Sequence, residues 1–154
     1  MSDLKFFEEK YEYHPDGYLI SRATKKQVGK PNEEGYIRIR GSNGKEYRAH
    51  RIIWSLHNGE IPEGMLIDHI DGNKQNNKID NLRLATRTQN NNNSIGRSVR
   101  GYPKGVQPTS SGKYRARIMQ NGKQICIGTY DTVEEAKFSY DIKAIEIQGE
   151  FAKL

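Results

Sequence analysis

The sequence predicts an α+β protein built from two small parts, and three observations carry that expectation. The first 47 residues alternate short β-like runs with glycine-containing turns. A strand–loop–helix order surrounds Asp68-His69. Beyond a glycine- and arginine-containing stretch come three more strand-like runs and a capped helix. At 154 residues, with 34% hydrophobic residues and a mean hydropathy of -0.91, each part can hold only a small core.

In chain order, GYLISRA, GYIRIRG and KEYRAH read as strands of a small antiparallel sheet, with a turn at Ser42-Asn43-Gly44. AHRIIWSLH, from Ala49 to His57, places Ile52, Ile53, Trp54 and Leu56 close enough for a short helix with an apolar face, which Asn58-Gly59 ends. The apolar run Met65 to Ile67 then leads into Asp68 and His69. A turn at Asp71-Gly72, the pair Asn81-Leu82 and a helix-like run ending in Asn90 follow. SIGRSVRGY, Ser94 to Tyr102, has no periodicity and reads as a linker. The expected organisation is residues 1–94, a linker over 95–102 and a second domain over 103–154. In the last, strands around Lys104 to Gln107, Lys113 to Gln120 and Lys123 to Tyr130 are joined through Ser110-Ser111-Gly112 and the hairpin turn Asn121-Gly122. Thr132 and Glu135 form a capping box at the start of the closing helix and Gly149 ends it.

Composition narrows the function. No apolar run approaches the roughly 20 residues of a membrane span, and MSDLKFFEEK lacks the basic-then-apolar order of a signal peptide. A cytoplasmic protein with no membrane partner is expected. The single cysteine, Cys126, cannot form an intramolecular disulfide or a multi-cysteine zinc site. Net charge is +6, and its distribution matters more than its size. Between Asp80 and Asp131 there is no acidic residue, while Arg83, Arg87, Arg97, Arg100, Lys104, Lys113, Arg115, Arg117 and Lys123 are basic. These nine of the 25 basic residues hold the whole positive surplus. Such a stripe suits the neutralisation of phosphates.

Hydrolysing a phosphodiester requires an activated water, neutralisation of charge on the phosphorus oxygens and stabilisation of the departing 3′ oxygen. A histidine can supply the first and a divalent metal the other two. Asp68 and Asn90 offer oxygen ligands suited to a hard ion such as Mg²⁺, whereas zinc would want more nitrogen and sulfur. On a regular strand Asp68 and His69 project to opposite sides of the pleat. Joint action therefore calls for a bend, which Asp71-Gly72 supplies.

The run from His50 through Asn93 resembles the HNH endonuclease family, in particular the phage and intron-encoded homing endonucleases with a ββα-metal fold. Its pattern is an Asp-His at the end of the first strand, an Asn-Leu in the middle and a His or Asn on the closing helix. Here these are Asp68-His69, Asn81-Leu82 and Asn90, with Ala49-His50-Arg51 upstream. The resemblance implies His69 as general base and Asp68 and Asn90 as ligands of one ion per active site, with Asn81 fixing the loop through side-chain hydrogen bonds. Asn90, where the family also uses His, favours Mg²⁺ or Mn²⁺. Arg83 and Arg87 have two readings, phosphate contact or solvated charge. His50 either supports the site or packs beneath it. Asn73, Asn76 and Asn77 read as loop formers, with DNA contact as the second reading, and His14 and His57 as structural.

Gly101 to Leu154 resembles the plant ethylene-response-factor (Apetala-two) DNA-binding domain. The matching elements are Lys104-Gly105-Val106, Gly112-Lys113-Tyr114, Ile127-Gly128-Thr129-Tyr130, Glu134-Glu135-Ala136, Tyr140-Asp141 and Gly149-Glu150. The resemblance implies a three-stranded sheet lying in the major groove of double-stranded DNA. Lys104, Gln107, Lys113, Tyr114, Arg115, Arg117, Met119, Gln124 and Cys126 fall at or near contact positions. Met119 and Cys126 stand where the plant family often has arginine and tryptophan, so the plant target sequence does not transfer. The residues agree in part: in KYRARI, Lys113, Arg115 and Arg117 share one strand face, and Tyr114, Ala116 and Ile118 the other.

The whole reads as a metal-dependent DNA endonuclease of the homing type, with no protein partner implied. The rival is a non-catalytic, sequence-specific DNA-binding regulator on a degenerate HNH scaffold, against which Asp68, His69 and Asn90 all stand.

Overall fold

The computed structural model describes residues 3–93, 101–152 and 154. The chain forms two compact units, Met1–Thr88 and Gln89–Leu154. The linker expected over residues 95–102 falls, up to residue 100, outside the described residues.

The first unit begins with α1 (Asp3–Lys10), which the sequence reading did not foresee. Eight residues are too few for an isolated helix to be stable. Tertiary packing holds this one: Phe7 is buried, stacks on Tyr11 at 6.1 Å and meets Tyr47 edge-on at 5.0 Å. The single N-terminal sheet expected is in fact two. One has the order β1-β2-β3 (Tyr11–His14, Tyr18–Ser21, Gln27–Val28), the other β4-β5-β6 (Lys30–Pro31, Ile37–Arg40, Glu46–Arg48). Gly29, at φ +95, parts them; an added Cβ there would come within 2.6 Å of the Ile37 side chain. α2 (Ala49–Asn58) buries Ala49, His50, Ile52 and Ile53 against both sheets and closes at Gly59, whose N–H donates to Ser55 O at 3.0 Å.

β7 (Leu66–His69) and β8 (Leu82–Ala85) form an antiparallel ladder, and α3 (Arg87–Asn93) follows β8 directly. Ile67 and Leu82 join Leu19, Ile39, Ile52 and Ile53 in the core, so the ladder is fastened to the N-terminal sheets through α2.

In the second unit β9 (Val106–Pro108), β10 (Tyr114–Gln120) and β11 (Lys123–Tyr130) form an antiparallel sheet with β10 in the centre. The first strand starts later than expected. Gly105, at φ +78, turns beneath the Tyr140 ring, where a Cβ would come within 2.1 Å of Cδ2, so Lys104 precedes the ladder. Asn121 and Gly122, both at positive φ, make the β10–β11 turn. α4 (Val133–Gln148) carries the expected capping box, Thr132 Oγ1 accepting from Glu135 N and Glu135 Oε2 from Thr132 N, both at 3.2 Å. Ala136, Tyr140 and Ala144 pack on Val106, Ala116 and Ile118, the two alanines allowing close approach. Between Ala116 and Arg117 the register slips by one residue, leaving Ile127 as a bulge. No helix among the described residues is long and apolar enough to cross a membrane.

Candidate active site

Asp68 and His69 are the last two residues of β7, and both are buried. The strand runs regularly through them, and the turn comes only afterwards, with Gly72 N donating to His69 O at 2.9 Å. Different partners therefore fix the two side chains. Asp68 lies opposite Arg83 in the ladder, and Arg83 Nε donates to Asp68 Oδ2 at 3.0 Å with both side chains largely shielded from water. A desolvated guanidinium beside a carboxylate orients it through a charge-assisted hydrogen bond. His69 Nε2 is 2.9 Å from Oδ1 of the buried Asn77, and its ring meets His50 edge-on at 4.8 Å.

The asparagine-rich loop is an organised structure. Asn81 Nδ2 donates to Asp71 Oδ1 at 2.9 Å and to Asn76 O at 2.8 Å, while Asn81 Oδ1 accepts from Asp71 N at 3.1 Å. Asp71 also accepts from Asn73 N and Asn76 Nδ2, each at 2.7 Å. Burial acts to raise the Asp71 carboxyl, but the hydrogen bonds from Asn76, Asn81 and Asn73 outweigh it and hold the group below the usual carboxylate range. Asn73, Asn76, Asn77 and Asn81 thus have distinct tasks, and Asn77 reaches the histidine.

His50 packs beside the site rather than serving as a proton carrier. Burial, the neighbouring His69 and the cations Arg48 and Arg51 lower its pKa to about 3, so the ring is neutral at physiological pH. Its buried Nδ1 has no hydrogen-bond partner among the described residues. Tyr36 lies 5.4 Å from the His50 ring and 6.2 Å from the His69 ring, with Arg48 and Lys74 over its own face at 4.3 and 4.7 Å.

Of the other expected site residues, Arg83 is engaged by Asp68, and Arg87 is exposed in the first turn of α3. Asn90 is half-buried on α3 and belongs to the second unit. On the second sheet, Gln107, Arg115 and Thr129 stand in register across three strands, Arg117 lies opposite Cys126, and Met119 opposite Gln124. Arg117 Nη1 donates to Gln124 Oε1 at 3.2 Å. These residues form the face that α4 leaves uncovered. Tyr114 departs from the expectation: it packs with the helix-side core and against Tyr102, because strand alternation puts it opposite the arginines. Lys113 precedes β10 and pairs with Asp131 at 2.8 Å. The sequence reading missed the specific tasks of Asn77, Arg83 and Tyr36; an Asn run carries no signal for which member is buried.

Residues 47–92 match the HNH endonuclease family, a span that contains α2, the β7–β8 ladder and nearly all of α3. An uncharacterised HNH endonuclease of Acanthamoeba polyphaga mimivirus is 42% identical over 106 residues, 68% of this chain; the chain spans 55% of that relative's length. Protein 3.8 of Escherichia phage T7 is 34% identical, over 71% of this chain and 91% of its own. DNA endonuclease I-HmuI of Bacillus phage SP01 is 33% identical over 141 residues, 86% of this chain and 74% of that protein. The chain belongs to the HNH endonuclease family. A solved structure, described as DNA binding and cleavage by the HNH homing endonuclease I-HmuI, aligns with a TM-score of 0.49 and 23% identity, over 96% of this chain and 90% of that one. Within the HNH domain, no group of three or more His, Cys, Asp or Glu side chains able to hold a metal ion occurs among the described residues. A single carboxylate with amide oxygen is the donor set of a hard ion that keeps most of its water, and Asp68, oriented by Arg83, fits that description.

Proposed function

We propose that this HNH protein is a DNA endonuclease of the homing type that hydrolyses phosphodiester bonds at a recognised site, with His69 as general base. The carrying observation is the pair of independently anchored groups at the end of β7: Asp68 fixed by Arg83 and His69 by Asn77. His69 takes the proton of the attacking water, and oxygen attack at phosphorus breaks the bond to the 3′ oxygen. Asp68 and Asn90 would hold one Mg²⁺ or Mn²⁺ ion. When bound, that ion neutralises charge on the phosphorus oxygens and on the departing oxygen. Asn81 holds the intervening loop through Asp71 and Asn76.

The C-terminal sheet is proposed as an Apetala-two-type reader of double-stranded DNA, using the uncovered face with Gln107, Arg115, Arg117 and Gln124. Phosphate contacts from this face and from Lys104, Lys113 and Arg87 position the protein, and base contacts specify the site. Incubating purified protein with supercoiled plasmid in Mg²⁺ or in EDTA tests the reading. Mg²⁺-dependent conversion to nicked or linear DNA is expected; binding without cleavage in either condition would favour the regulator instead.

A further inference from the structure

Asn77 is only 2% exposed, in a loop where most neighbours are solvated. Its Oδ1 lies 2.9 Å from His69 Nε2. An amide oxygen only accepts, so Nε2 must carry the hydrogen of that bond, and the lone pair of the neutral imidazole then resides on Nδ1. His50 adds a second restraint from the ring's edge, 4.8 Å away, and being neutral it offers no competing charge.

What keeps Asn77 in place comes from the far end of the sequence. Gly17, in the β1–β2 turn at φ +89, lies against the loop backbone: a Cβ there would come within 2.5 Å of Lys78 N and 2.8 Å of Asn77 C. Four residues before that glycine the same hairpin contributes a hydroxyl: Tyr13 Oη accepts from Ile79 N at 3.1 Å. Tyr13 is itself braced edge-on by the His57 ring at 4.6 Å, and His57 is pinned to Ile53 O at 2.8 Å. The backbone at and immediately after Asn77 is thus fixed by the β1–β2 hairpin.

We infer that Asn77 is the positioning residue that selects the Nε2–H tautomer of His69, and that the β1–β2 hairpin, through Gly17 and Tyr13, holds Asn77 in register for that task. The inference rests on the reading of His69 as general base. With Nε2 committed to Asn77, proton abstraction falls to Nδ1, and ring rotation is blocked before DNA arrives. The first two strands are then part of the catalytic frame.

The direct test is ¹⁵N NMR of the imidazole rings of the full-length protein at neutral pH, His69 being assigned by its loss in His69→Ala. The expected spectrum has protonated Nε2 and unprotonated Nδ1 for His69. A neutral His69 carrying its hydrogen on Nδ1 would overturn the inference without any mutant of Asn77. Steady-state cleavage gives the second readout. Asn77→Leu should lower kcat by about 10- to 100-fold, within the scale of general-base effects, with KM for DNA within about twofold. Asn77→Asp, which keeps an acceptor oxygen, should restore the Nε2–H signature and at least a tenth of kcat. Tyr13→Phe should lower kcat a few-fold without moving KM. Full kcat in folded Asn77→Leu, or no recovery of the signature in Asn77→Asp, overturns the proposal. Full activity in His69→Ala instead removes the general-base reading, while the tautomer spectrum still judges the geometry on its own.

Discussion

Arg83 and Asp68 face each other across the β7–β8 ladder, and a 3.0 Å hydrogen bond joins guanidinium to carboxylate in a largely dry setting. A buried charge whose partner is deleted stays buried and uncompensated, which costs roughly 3–5 kcal/mol. Arg83→Met should therefore destabilise the fold by about 3 kcal/mol in urea denaturation. The double variant Asp68→Asn, Arg83→Met should recover at least about half of that loss, since it removes both charges. A single variant within about 0.5 kcal/mol of the parent would show that the pair is solvated in solution.

His69→Ala should cut the cleavage rate by about 10²-fold or more, the scale of losing a general base. DNA affinity, measured in EDTA to suppress turnover, should stay close to the parent's because His69 carries no phosphate contact in this reading. Unchanged turnover would remove His69 from the chemistry.

Asp68→Ala and Asn90→Ala should each raise the Mg²⁺ concentration needed for half-maximal cleavage, because each removes an oxygen from a donor set with few of them. Asn91→Ala is the control. If the titration moves for Asn91→Ala and not for Asn90→Ala, the ligand is one residue further along α3.

His50 supplies a pH dependence of stability. Its folded-state pKa, about 3, lies below the unfolded value of 6.5, so the unfolded chain binds a proton that the native state refuses. The corresponding stability is full above about pH 6.5 and is lost as pH falls towards 3, at up to about 1.4 kcal/mol per pH unit. Urea denaturation at pH 7, 6 and 5 should show that slope in the parent and a flatter one in His50→Phe. Parallel curves for the two proteins would mean that His50 is accessible to protons.

Ending the chain after Ser94 removes the sheet with Arg115 and Arg117 but retains Asp68, His69 and Asn90. Cleavage at high protein concentration should persist, while salt-resistant binding and site preference fall. In the full-length protein, Arg115→Ala or Arg117→Ala should weaken binding. Whichever also relaxes preference at one base pair, by about 1–3 kcal/mol, reads that base. Cleavage and binding on specific and random duplexes across a salt series make the comparison. A truncated protein that remains fully selective would move recognition to the nuclease unit.

The sequence announced its chemistry in local patterns and concealed what depends on register. The Asp68-His69 strand end, the Asn121-Gly122 turn and the Thr132–Glu135 cap are set by neighbours within a few residues, and all three stand where expected. Arg83 could be read as a phosphate ligand because its pairing with Asp68 requires knowing that positions 68 and 83 face each other. Asn77 was one asparagine among many, since only the hairpin some 60 residues earlier distinguishes it. α1 stayed hidden for a related reason: eight residues have no helical stability of their own, and Phe7 obtains it from Tyr11 and Tyr47.

The bulge at Ile127 gives β11 something like a reading frame. Upstream of it Cys126 and Gln124 share a face with Arg117 and Met119, leaving Ile125 to the core; downstream Thr129 joins Arg115. Uninterrupted alternation would group Ile125 and Ile127 with Thr129 instead. Losing Ile127 would remove the bulge and leave Thr129 beside Arg115, whereas gaining one residue at a regular position of the strand would turn half of it inside out, presenting isoleucine where the arginines look outward. Lengthening the tip at Asn121-Gly122 would leave that parity untouched. Length variation in this hairpin is thus confined to its tip and its bulge, and elsewhere the order of outward-facing side chains can change by substitution but not by slippage.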